Sequence, residues 1–198
     1  ISDKIGVLQH ILNRVNFLFI GGGMACTFLK SRGLDMGNSL VETERLGTAR
    51  EIEDKAKKSG VTVHLPVDFV AAPSIDKGEL AKVVGINAVP STWQVGDVGP
   101  QTLVEWSKAL KECRTIIWNG PLGIFEKNAF ARGTTDLVKI LSGLKATTII
   151  GGGSTAEAVE SSGLADKMTF VSTGGGASLQ MLEGKPLPGV SGLLDKDK

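Results

Sequence analysis

The residues best placed for chemistry are glycines. Triplets at 21–23, 151–153 and 174–176 each follow a short apolar run and precede a helix-forming segment. The run TTIIGGGSTAEAVESSG at 147–163 carries the pattern most fully. A strand feeding a glycine turn and then a helix start exposes orphan N–H donors at the positive end of the helix dipole, and glycine lets an anion approach the backbone closely. Ser154 or Thr155 is the expected N-cap, since a hydroxyl there accepts a free amide. Both a phosphate cradle and a ligand-free βα turn fit this stretch by itself. Recurrence favours the cradle: a turn needs one left-handed residue, and nine glycines in triplets exceed that.

A second informative loop is NGPLGIFE at 119–126. Asn119 directly after a strand offers an amide to a phosphate. Gly120, Pro121 and Gly123 make a tight turn with little bulk, Ile124 and Phe125 offer an apolar face to a flat base, and Glu126 suits paired hydroxyls such as those of a ribose. Glu126 equally fits a helix N-terminus, where a carboxylate is favoured. Lys4 falls in the first turn of a helix, where its charge opposes the dipole; a bound phosphate would account for it, and so would a solvated surface position. His10 and His64 stand alone in the sequence and read as packing or surface histidines. Asp68 and Asp97, each beside apolar strand residues, read as capping or turn groups, with a place on the site rim as the alternative. Neither GxxxxGK[ST] nor GxGxxG occurs, which argues against a P-loop NTPase and weakens a dinucleotide oxidoreductase.

Helical spacing of Ile5, Leu8, Ile11, Leu12 and Val15 predicts a helix over 2–14, capped by Ser2 or Asp3. A strand is expected over 15–20, a helix over 24–31, a charged outer helix over 42–59, and strands over 61–65, 67–71 and 81–86. Residues 75–79 and 87–100 read as loop. A helix over 102–111, a strand over 114–118, a helix over 130–141, strands over 147–150 and 168–171, and an irregular tail from Lys185 complete the order. The alternation implies an α/β fold: a doubly wound, mostly parallel sheet with helices on both faces, Rossmann-like. In such sheets ligands bind at the carboxyl ends of the strands. All three triplets and the 119–126 loop sit at such ends, so one shared rim is expected.

Composition narrows the classes. A net charge of +1 points to neither a nucleic-acid nor a membrane partner. The chain lacks the run of about 18 apolar residues that a spanning helix requires. Cys26 and Cys113 have neither metal nor redox spacing and read as reduced thiols. The opening at Ile1 rather than Met reads as a piece of something longer.

Taken together, GGGMACTFLK, LPVDFV, DVGPQT, WNGPLGIFE, FARGT, TIIGGGST and STGGGASLQMLEGKPLPGV resemble the phosphoglycerate kinase family, in order and spacing, from end to end of the chain. The resemblance is to that family's carboxyl-terminal, nucleotide-binding domain, here residues 1–185, with 186–198 a tail towards an amino-terminal domain outside this sequence. It implies phosphoryl transfer between 1,3-bisphosphoglycerate and ADP, with magnesium, in a cytoplasmic monomer whose phosphoglycerate site lies on the other domain. The chain alone is then expected to be inactive. By resemblance, Lys4 meets the nucleotide phosphates, Gly22, Gly23, Gly96 and Ile124 surround the adenine, Asn119 and Pro121 run along the nucleotide, and Glu126 takes the ribose. Gly151, Gly152, Gly153 and Thr155 hold the phosphate chain, and Gly175 in the third triplet faces the transferred group; Lys4, Gly152 and Gly175 are the catalytic assignments. There are two departures. Ser154 stands where the family has the aspartate that holds magnesium, and a neutral hydroxyl is a weaker ligand for that cation. Val95-Gly96 exchanges the small and large residues of the adenine-pocket wall. A non-catalytic nucleotide-binding paralogue is the alternative that Ser154 favours.

Overall fold

The computed structural model describes residues 2–172 and 174–192. In chain order the elements are α1 (Ser2–Ile11), β1 (Phe17–Phe19), α2 (Gly22–Ser31), α3 (Leu46–Lys58), β2 (Thr62–His64), β3 (Asp68–Ala72), β4 (Lys82–Gly85), β5 (Gln94–Val98), α4 (Pro100–Leu110), β6 (Thr115–Asn119), α5 (Arg132–Ser142), β7 (Thr147–Gly151), α6 (Gly153–Ser161), β8 (Phe170–Ser172), α7 (Gly175–Leu182) and α8 (Pro188–Ser191). Strand and helix alternate through most of the chain, an α/β fold of the Rossmann-like kind. The short α8 replaces part of the irregular tail; residues 193–198 lie outside the description.

The strands fall into three small sheets rather than one. β1 pairs with β2 in parallel, and β6, β7 and β8 form a parallel set with β7 central. Between them in sequence, β3 pairs antiparallel with both β4 and β5. Connection length explains the difference. A parallel return needs a long crossover, usually a helix. The link at 73–81 holds no α-helix, so β4 folds back on β3; the link at 86–93 then carries the chain past β3 to its other edge, where β5 pairs antiparallel to it.

β5 corrects the loop expected over 87–100. Its sequence, Gln-Val-Gly-Asp-Val, contains two residue types that strands avoid. Pairing with β3 carries it: Val70 faces Asp97 and Ala71 faces Val95, so the register skips Gly96 at a bulge. A side chain at Gly96 would collide with the Phe130 ring, which is why the skipped residue is a glycine.

Two apolar cores result. One gathers Leu8, Leu18, Phe28, Leu29, Ile52 and Phe69; the other gathers Leu103, Trp106, Leu110, Trp118, Val138 and Ile150. The outer helix α3 faces the first with Ala49, Ile52 and Ala56 and starts at Leu46, after a 3-10 turn, instead of at Glu42. β1 lies on the seam, with Leu18 in the first core and Phe19 packed on the second. Phe19 stacks on His64 with ring centroids 4.6 Å apart and meets Trp106 edge-on at 5.5 Å. His64 is thus a packing residue, and burial lowers its pKa.

α4 begins at Pro100, a residue suited to a first helical turn. Its free amides are met from another strand. Asp68 accepts the N–H of Gln101 at 3.0 Å and of Thr102 at 2.8 Å, and the Thr102 hydroxyl at 2.6 Å. The capping role read for Asp68 is therefore realised across elements.

Candidate nucleotide-binding site

Each glycine triplet is divided between a turn and the helix after it. α2 starts at Gly22, α6 at Gly153 and α7 at Gly175. The N-cap of α6 is Gly152, with φ 99° and ψ 138° and no side-chain cap, so the expectation of Ser154 or Thr155 as N-cap is corrected. Such a positive φ is the reason for glycine at that position. The first α6 bond runs from Ala156 N–H to the Gly152 carbonyl, leaving the amides of Gly153, Ser154 and Thr155 in the free first turn.

The four loops meet around residues 119–122. Gly21 lies against the Leu122 side chain, and a Cβ on Gly22 would lie 3.7 Å from the Pro121 carbonyl oxygen. Gly151 and Gly152 border the Asn119 amide, and the α7 residue Ser178 approaches Gly151. Gly23 opens the first turn of α2 beside Gly22, and Gly174, exposed, donates its N–H to Ser172 Oγ at 3.3 Å. The shared rim is present.

Lys4 reaches this rim from α1. Its ammonium donates to the Asn119 carbonyl at 3.0 Å and lies over Gly120. Partial burial lowers its pKa, and it makes no ion pair among the described residues. Asn119 Nδ2 is buried and has no hydrogen-bond partner among the described residues. Two donors therefore sit at Asn119-Gly120: Asn119 Nδ2, which borders the second triplet and has no acceptor among the described residues, and Lys4 Nζ, which has one carbonyl and no acid. A buried donor left without an acceptor is costly, which marks the spot as suited to an external anion.

The 119–126 loop is fastened at many points. Gly120 donates its N–H to Thr155 Oγ1 at 2.7 Å and accepts from Trp118 Nε1 at 2.7 Å. Leu122 donates to Thr134 Oγ1 at 3.0 Å, and Ile124 to the Gly96 carbonyl at 3.0 Å. Thr155 is fully buried, so its hydroxyl serves the loop. Gly96 is likewise buried beneath Phe130, and the half-buried Val95 beside it is the more accessible of the exchanged pair. Ser154 and Glu126 are exposed, neither side chain with a hydrogen bond among the described residues. The fastening roles of Thr134 and Thr155 are not legible in the sequence; threonine is compatible with many roles, and only the fold brings these two under the loop.

A family model for phosphoglycerate kinase matches residues 1–185. The chain belongs to the phosphoglycerate kinase family. It is 49% identical over 198 residues to a phosphoglycerate kinase of Synechococcus sp. (strain JA-2-3B'a(2-13)), covering 98% of this chain and 48% of that protein. Against the cytosolic phosphoglycerate kinase 3 of Arabidopsis thaliana the identity is 50% over 196 residues, covering 98% and 49%. The phosphoglycerate kinase structure from Coxiella burnetii superposes with a TM-score of 0.91 at 42% identity, covering 96% of this chain and 49% of that one. That from Pyrococcus horikoshii OT3 gives 0.82 at 27%, covering 94% and 47%. The chain thus spans about half the length of the phosphoglycerate kinases it matches.

Proposed function

We propose that this chain is the carboxyl-terminal, ADP/ATP-binding half of a phosphoglycerate kinase, which moves a phosphoryl group reversibly between 1,3-bisphosphoglycerate and ADP in glycolysis. The observation that carries the reading is the buried, unanswered Asn119 Nδ2 beside the free first turn of α6, with the Lys4 ammonium, held by one carbonyl and by no acid among the described residues, next to it. Phosphoryl transfer asks little covalent work of a protein; it needs alignment and neutralised oxygen charge. In this reading Lys4 and the amides of Gly153, Ser154 and Thr155 hold the phosphate chain, Asn119 orients it, and Gly152 keeps the turn open. Gly175 opens α7 at the same rim, towards the group in transit. Gly22, Gly23, Pro121 and Ile124 border the base, with Gly96 contributing its carbonyl hold on Ile124, and exposed Glu126 is free to meet the ribose. Residues 1–185 would form the nucleotide domain, and a second domain would bring phosphoglycerate, so this half alone turns nothing over. A cytoplasmic, monomeric enzyme with no nucleic-acid partner fits this reading; none of the helices described here is long and apolar enough to cross a membrane.

The residues present do not fit a protein-held magnesium ion. Ser154 offers a neutral hydroxyl, and the described residues contain no group of three His, Cys, Asp or Glu that could hold a metal. Ser154 also favours a second reading, a nucleotide-binding relative without catalysis.

Calorimetric titration with ADP and with NAD tests the assignment. ADP should bind at one site and NAD should not; silence with ADP overturns it. Steady-state assay of the complete protein separates enzyme from non-catalytic relative.

A further inference from the structure

One carboxylate beneath the site has no part in the reading above. Asp97, at the end of β5, is 1% exposed. Its carboxylate is enclosed by Gly123 of the 119–126 loop and Gly133 of α5; a Cβ on either glycine would collide with it. It accepts the Gly133 N–H at 2.6 Å and the Val98 N–H at 2.8 Å. The residue following the loop's Gly123 donates to the carbonyl of Gly96, Asp97's neighbour. The N-terminus of α5 is therefore hydrogen-bonded to this carboxylate, and the loop packs on it through Gly123.

We infer that Asp97 is a positioning residue, whose charged carboxylate bonds the first turn of α5 to β5 and is the surface on which Gly123 of the 119–126 loop packs, and so sets the loop's readiness for a nucleotide. The inference rests on the nucleotide reading of that loop. Hydrogen bonds to an ionised acceptor are about twice as strong as neutral ones, so loss of the charge loosens the tie. Burial pushes the Asp97 carboxyl up to about 7, against the two amides that pull it down. Asp136 of α5 is the ionisable group among the described residues whose charge adds to that rise, and it is itself paired with Arg132 and Lys139. Asp68 on β3 is committed to α4, and the loop brings only the exposed Glu126. The tie therefore weakens as the pH falls through neutrality.

The test uses the 198-residue chain, isotopically labelled, titrated from about pH 5.5 to pH 8.5 around that value. The amides of Gly120, Leu122 and Ile124 and the Trp118 indole should shift together, with the midpoint of the Asp97 carboxyl carbon. Asp97→Asn should abolish the shared midpoint and weaken ADP binding at the alkaline end about fivefold. Because ADP itself titrates, its pH-dependent weakening is judged as the excess in wild type over Asp97→Asn. Loop signals that stay flat while Asp97 titrates, or that titrate equally in Asp97→Asn, overturn the inference. If that variant does not fold, shared or separate midpoints in wild type decide it. Failure of wild type to bind ADP at every pH sinks the nucleotide reading alone, and the midpoints still judge Asp97.

Discussion

At Asn119 the side chain borders Gly151 and Gly152 yet uses its Nδ2 on nothing described. Replacing it by alanine removes no hydrogen bond of that amide group. Asn119→Ala should leave unfolding free energy within about 0.5 kcal/mol while weakening ADP binding about tenfold, the worth of one good hydrogen bond. Urea denaturation beside calorimetry reads the two effects separately. Gly152 behaves differently, because its cost lies in the backbone. At φ 99° an alanine is strained, so Gly152→Ala should cost about 1–3 kcal/mol of stability and also disturb the turn that faces the phosphates. Equal stability of this variant in urea would show that the turn relaxes without penalty.

Among the elements, α4 depends on a residue outside itself. Asp68 answers two of its first amides from β3, so Asp68→Ala strands buried donors and should cost about 2–3 kcal/mol, read as a lower urea midpoint. The helices and the parallel strands were legible because periodicity and the glycine triplets report local geometry: α2, α6 and α7 all start within a triplet. β5 was not legible. Its Gly96 and Asp97 carry the marks of a turn, and only pairing with β3 and the fit of Phe130 over the bulge make it a strand. The antiparallel sheet was unreadable for the same reason, since which edge of β3 receives β5 follows from packing and not from strand composition. At the site, the rim could be read from strand ends, whereas the struts from Thr134 and Thr155 join residues far apart in sequence.

For the molecule as a whole, protonation and ligand both act on folding. The folded-state pKa of Asp97 is raised, so its contribution to stability is complete below the unfolded value of 3.8 and is lost as the pH rises through about 7. Asp136 runs the other way: its pKa is lowered, by its bonds to Lys139 and Arg132 against opposing burial, so its contribution is lost in acid. Between pH 4 and 7 the Asp97 slope should appear in urea midpoints of wild type and be absent from Asp97→Asn. ADP at about a hundred times its dissociation constant should add ~2.7 kcal/mol and raise the melting temperature by roughly 5–10 °C. β1 gives both effects a common scale. With Leu18 sunk in one hydrophobic cluster and Phe19 packed against the other, melting of either half pulls on a strand that the other half holds. Scanning calorimetry should therefore record a single peak whose calorimetric and van't Hoff enthalpies agree.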